Sequence, residues 1–168
     1  AGHARQGAIS RVKYHYLLIQ LCSWGLLYSL MALAVYKRPV FVETELLYGA
    51  VLVGSTALGS HFLRCLYRRY VLQANVVKQA VLLILGSTLF AAIATGMLLL
   101  TFFTLSATGV TFPIPPDQRW FVISSVFSDN FVNMLLALWL WSALYFAVTK
   151  VRQLRQTTAL LQQTQLDA

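Results

Sequence analysis

Apolar positions in this chain fall in four long blocks, not in the narrow stripes of a surface helix. The first block runs from about Tyr14 to Tyr36. Lys37, Arg38 and Pro39 end it, and VFVETE reads as a short loop. The second runs from about Leu46 to Leu66 and is closed by RRY. The third spans about Val76 to Leu105. The segment SATGVTFPIPPDQR breaks it, because Pro113, Pro115 and Pro116 cannot continue a helix. The fourth spans about Trp120 to Val148. Each block supplies the roughly 20 residues needed to cross a bilayer as a helix. The last two exceed that length, so they should tilt or extend beyond the hydrocarbon. The pattern predicts an all-α membrane protein, a four-transmembrane-helix bundle over residues 1–148. Residues 149–168 are expected to form a cytoplasmic signalling helix. The opening AGHARQGA has the look of a cloning remnant and is left out of the span assignment.

Composition agrees with the pattern. Of 168 residues, 58% are hydrophobic and only 11% charged, against about 25% charged in a soluble domain. The net charge of +8 would suggest nucleic acid in a soluble protein. Here Lys and Arg sit between the apolar blocks, where they face anionic lipid and set topology, so no direct nucleic-acid contact is expected. Arg5, Arg11 and Lys13 precede the first span. Arg64, Arg68, Arg69 and Lys78 lie between the second and third, and Lys150, Arg152 and Arg155 follow the fourth. These groups hold ten of the thirteen basic residues. The other two loops hold Lys37 and Arg38, offset by Glu43 and Glu45, and Arg119 beside Asp117. The positive-inside rule therefore places both termini and the middle loop in the cytoplasm. Short outer loops leave no room for a sensor domain outside the membrane. The N-terminus shows no apolar core with a small-residue cleavage site, so no cleavable signal peptide is expected. Cys22 and Cys65 are not a CxxC pair and read as inert apolar thiols.

Lipid provides no hydrophobic drive between helices, so contact depends on small residues. Span two carries Ala50 with Gly54 and Ser55 with Gly59. Span three carries Ser87 with Ala91 and Ala92 with Gly96. These pairs predict close helix packing. Trp24 beside Gly25 reads as packing, and Gln20 as an interhelical hydrogen bonder. Tyr14, Tyr16, Tyr36, Tyr48, Tyr67, Tyr70 and Trp120 read as an interfacial aromatic belt. His61, one turn before Arg64, reads as an interfacial or packing histidine.

Ionisable residues inside a span are costly and prompt a functional reading. Asp129 and Asn133 are four apart and share a helix face. With Asn130, Ser125 and Ser128 they form a polar patch in the outer half of span four. Three readings stand open: a ligand-binding pocket opening outward, hydrogen bonds that fix the bundle, and a wet patch at the interface. No catalytic set, phosphate loop or metal-ligand cluster is visible, so the chain by itself is expected to have no enzymatic activity, metal or cofactor.

Beyond the fourth block the chain reads KVRQLRQTTALLQQTQLDA. Leu144, Ala147, Val151, Leu154, Thr158, Leu161, Gln165 and Ala168 step by alternate threes and fours, a heptad seam. It begins inside span four, and no Gly or Pro interrupts it. Span and tail should thus be one continuous helix, continuing as a weak coiled-coil linker with a second copy of the chain.

A basic four-span domain followed by VRQLRQTTALLQQTQLDA resembles the front end of a LytS/AlgZ-type bacterial sensor histidine kinase. In that family a Leu- and Gln-rich helix leads to a phosphoacceptor box reading approximately L-x-x-Q-I-N-P-H-F-L-F-N. The segment QTQLDA is similar to the residues ahead of that box, and Gln20, Trp24 and Gly25 to a Q-x-x-x-W-G opening. The resemblance implies a homodimeric inner-membrane receptor that signals to a response regulator. It implies ATP and Mg only for a kinase region beyond these residues. Two other readings keep the four spans: the membrane domain of a LytTR-type transcription regulator, and a small transporter or channel.

Overall fold

The computed structural model describes the backbone of residues 2–36, 42–71 and 75–168, and the side chains of 14–36, 43–70 and 75–168. The Lys37-Arg38-Pro39 stop and the side chains of Arg5, Arg11 and Lys13 lie outside the described residues. Four α-helices make up the fold: α1 (Gly2–Tyr36), α2 (Val42–Leu66), α3 (Val76–Ala107) and α4 (Arg119–Asp167). All four are long and apolar enough to cross a membrane. A π-helical turn, Tyr67–Val71, prolongs α2, and a 3-10 turn, Pro116–Gln118, leads into α4. The sequence placed Glu43 and Glu45 in a loop. They lie in the first turn of α2, where a carboxylate is favoured by the unpaired N–H groups and the helix dipole.

Local chemistry explains the element ends. The Asn75 side chain accepts a 3.0 Å hydrogen bond from the Lys78 N–H and caps α3. At the other end Gly109 adopts φ +78. Its N–H reaches the Ser106 carbonyl at 3.3 Å, and the Val110 N–H reaches that of Leu105 at 3.1 Å. This is the Schellman arrangement, in which a glycine takes the left-handed position without strain. The Ser106 hydroxyl donates to the Phe112 carbonyl at 3.0 Å and accepts from the Ile114 N–H at 3.2 Å. One side chain thus folds the α3–α4 connection back over the end of α3. Pro116 then opens the 3-10 turn, where a missing N–H costs nothing.

The core lies between α2, α3 and α4. Leu52, Thr56, Leu63 and Tyr67 of α2 are almost wholly buried, as are Ser87, Ala91, Ala94 and Thr95 of α3 and Leu138 and Ser142 of α4. Most of the steps between them are three, four or seven, which marks one inward face per helix. Much of this core is small or hydroxylated, which lets backbones approach without a hydrophobic drive. Its hydroxyls bond mostly at home: Thr56 Oγ1 donates to the Leu52 carbonyl at 2.7 Å, and Thr95 Oγ1 to that of Ala91 at 2.8 Å. Tyr67 is 0% exposed, and its hydroxyl pairs with Ser142 Oγ at 3.0 Å. The aromatic-belt reading of Tyr67 is therefore replaced by a core role joining α2 to α4.

Close approach of α2 to α3 is set by two glycines. A Cβ at Gly59 would lie 3.1 Å from Phe90 Cβ, and one at Gly86 would lie 2.7 Å from Leu63 Cδ2. Gly59 belongs to a small-residue pair read from the sequence, and Ser55, in the same pair, is half-buried. Gly86 was not singled out. Ala50, Gly54 and Gly96 lie on exposed faces, and Ala92 is half-buried. Gly59→Leu must displace the Phe90 ring or part the two helices. It is expected to cost about 1–3 kcal/mol, as overpacking does, read as a lowered midpoint in detergent unfolding. Gly54→Leu, with open space around its Cβ, should leave that midpoint unchanged. Equal losses in the two variants would remove Gly59 from the interface.

Candidate functional site

Two features stand apart from simple packing: a cleft at one end of the bundle and the exposed length of α4. Glu45 and Arg64 of α2 are nineteen residues apart, which is about 28 Å of helix rise and close to the hydrocarbon thickness of a bilayer. They mark the two ends of the apolar layer. At the Arg64 end the guanidinium carbon lies 3.2 Å from the centre of the Tyr16 ring, a cation–π contact between α2 and α1. His61 packs its ring 6.3 Å from Tyr16 and is itself exposed.

One turn inward, a hydrogen-bonded layer ties three helices together. Gln20 Nε2 of α1 donates to Ser60 Oγ and to the Ala57 carbonyl of α2. Trp24 Nε1 also donates to Ser60 Oγ, at 3.2 Å. Trp141 Nε1 of α4 donates to Gln20 Oε1, at 3.2 Å. Gln20 is thus the interhelical hydrogen bonder read from the sequence. Trp24, 7% exposed, is the only fully buried side chain among the described residues of α1. Among the described residues the backbone of α1 approaches that of α2 and of no other helix. The link from α1 to α4 is made through this layer.

At the Glu45 end all four helices open into a cleft of about 550 Å³. Each helix contributes one face. Glu45, Tyr48 and Leu52 come from α2, Leu98 and Phe102 from α3, Val126 and Asn130 from α4, and α1 closes the side. A recess of about 220 Å³ continues from it and shares Glu45, Tyr48 and Phe102. The folded-back α3–α4 connection walls it with Thr111 and Phe112.

The structure divides the polar patch of span four. Asn130 lines the cleft, and its Nδ2 donates to the Val126 carbonyl at 2.8 Å. Ser125 is half-buried and outside the cleft lining. Asp129 and Asn133 are exposed on another face, and Asn133 Nδ2 donates to the Asp129 carbonyl at 2.9 Å. One residue turns a helix by about 100°, which is why neighbours 129 and 130 part company. Asn130 and Glu45 line the same cleft, and Asp129 is not among its lining residues. The sequence missed Tyr48 and Thr111. Tyr48 lies three residues after Glu45 and four before Leu52, a helix-face spacing that was legible, but nothing in the spacing says that this face turns inward.

α4 is unbroken for 49 residues. Every residue from Lys150 to Ala168 is exposed, Val151, Leu154, Thr158 and Leu161 of the heptad seam among them, and so are its earlier members Leu144 and Ala147. The exposed stripe runs back through Leu140 and Leu136 to Asn133 and Asp129. No protein-family model, curated protein or solved structure matches this chain significantly. The architecture is that of a multi-pass membrane protein with four candidate spans.

Proposed function

We infer that this chain is the membrane sensing and relay part of a bacterial two-component histidine kinase. The observation that carries the reading is the continuity of α4. One helix crosses the apolar layer and runs on for about 26 Å beyond Lys150, with a heptad stripe that includes Val151, Leu154, Thr158 and Leu161 open along its length. A span that merely anchors a chain needs no such extension. An exposed apolar seam in water is stabilised when a second copy covers it. The loose likeness of QTQLDA and of Gln20, Trp24 and Gly25 to LytS/AlgZ-type kinases supports the same reading. The charge distribution supports an inner-membrane protein with both termini in the cytoplasm.

In this mechanism the chain is a parallel homodimer along α4. A signal met at the Glu45 end biases two arrangements of the spans. α4 carries the difference to a kinase region, which uses ATP and Mg to phosphorylate its own histidine and then a response regulator. The bias can be no larger than the signal's differential affinity for the two arrangements.

The dimer is tested by cross-linking in membranes, in a background with Cys22→Ser and Cys65→Ser. Leu154→Cys and Leu161→Cys, on the stripe, should each form a disulfide between copies. Gln156→Cys and Gln163→Cys, on the opposite side of the helix, should remain monomeric. Equal cross-linking at all four positions, or at none, would discard the α4 seam as the interface.

A further inference from the structure

The cleft at the Glu45 end holds two hydroxyls that bond to none of the described residues. Tyr48 lies beside Thr111 in the wall of the recess. Neither Tyr48 Oη nor Thr111 Oγ1, both buried, has a hydrogen-bond partner among the described residues. A buried hydroxyl without a partner is a standing cost, and groups left this way invite an explanation. Both sit in the recess that continues the larger cleft.

Leu52, Leu98, Phe102 and Val126 form apolar walls of the larger space, with Glu45 and Asn130 as its polar members. Ala34, at its edge, is exposed, so the cleft opens toward the lipid side of α1. About 550 Å³ falls in the range of small-molecule sites. Among the described residues no Lys or Arg lines either space, whereas the Glu45 carboxylate lines both, which disfavours an anionic head group. The level of the cleft, at the boundary of the apolar layer, suits a molecule that is apolar along its body and polar at one end.

We propose that this cleft binds a neutral lipophile with an oxygen head group, such as a medium-chain alcohol or ketone. The head enters the recess and takes hydrogen bonds from Tyr48 Oη and Thr111 Oγ1. The chain lies along Leu52, Leu98 and Val126. Binding in this way satisfies two orphaned donors at once and fills the space with apolar contact. The use of the cleft as a sensor input rests on the function proposed above, whereas binding itself needs no output. A chain that binds the probe without relaying a signal would therefore overturn only the sensor reading.

The test uses the full chain in lipid nanodiscs and a medium-chain alcohol carrying a diazirine. Photolabelled peptides are mapped by mass spectrometry. Labelling should concentrate on residues 45–52 and 98–102 and fall several-fold with excess decan-1-ol. Decanoate and decylamine at equal membrane concentration should not displace it. Tyr48→Phe removes one donor with little change of shape and should weaken competition by decan-1-ol several-fold. Ala34→Phe narrows the mouth from an exposed position and should abolish the site-specific labelling. Helix content and elution volume serve as folding controls for both variants. Labelling spread evenly over lipid-facing residues would overturn the proposal, as would displacement by all three competitors alike. So would unchanged competition in a folded Tyr48→Phe.

Discussion

Joined after Ala168 to the phosphoacceptor and ATP-binding domains of a histidine kinase, this chain is expected to change output when one residue is inserted after Lys150. The insertion turns everything beyond it by about 100° relative to the spans. The stripe from Asp129 to Leu144 then no longer lines up with the one carrying Leu154, Thr158 and Leu161. A dimer seam cannot satisfy both halves at once, so the kinase domains are held in one of the two arrangements. Autophosphorylation in membrane vesicles should rise or fall by roughly 5- to 150-fold, the range of ordinary allosteric couplings. Seven inserted residues add two turns less about 20° and keep the heptad phase, so they should restore the parent rate. Dependence on phase, and not on length, is the signature of relay through the seam. If one and seven insertions behave alike, α4 is a tether and the relay reading is lost.

The second large effect concerns the layer at Gln20. Gln20→Leu keeps the volume but deletes the donor to Ser60 Oγ and the Ala57 carbonyl, and the acceptor of Trp141 Nε1. Inside a bilayer no water replaces these bonds, although each is worth only about 0.6–1.7 kcal/mol by double-mutant cycles. With the Trp141 N–H left without its acceptor, the expected loss is about 1–3 kcal/mol. It should appear as a lower midpoint in SDS titration from mixed micelles, followed by limited proteolysis. Trp141→Phe should cost less than Gln20→Leu, since Gln20 retains Ser60. The double variant should cost less than the two together, because the single changes remove a shared bond. Strict additivity would mean that the Gln20–Trp141 bond does not hold α4 to α1. This contact is the described side-chain link between the first and last spans, so the same variant should also blunt any signal that passes from α1 to α4.

Much of this molecule was legible in the order of its residues. Four apolar blocks of bilayer length can form only helices in lipid, since each backbone group must find its partner within its own segment. The proline cluster from Pro113 to Pro116 stops α3, and the absence of Gly or Pro after Arg119 lets α4 run to Asp167. Gln20 was recognisable because an amide in an apolar span has few alternatives to bonding another helix. These outcomes follow from local chemistry and from the bilayer's refusal of unpaired polar groups.

What the sequence could not decide is which face of each helix turns inward. In an apolar span nearly every face is hydrophobic, so the usual contrast between core and surface side is missing. Small residues occur on several faces, and only the packing shows that Gly59 and Gly86 meet α3 and α2 while Gly54 and Gly96 do not. For the same reason the polar patch looked single in one dimension. Asn130 turns into the cleft, and Asp129 and Asn133 turn to the exposed stripe. Tyr48 and Thr111, sixty-three positions apart, line one recess, where Ser106 folds the α3–α4 connection back over the end of α3. Length, direction and continuity of the helices are properties of the chain. The facing of the helices, and so the cleft, belongs to the fold, because only the packing of small residues against one another selects it.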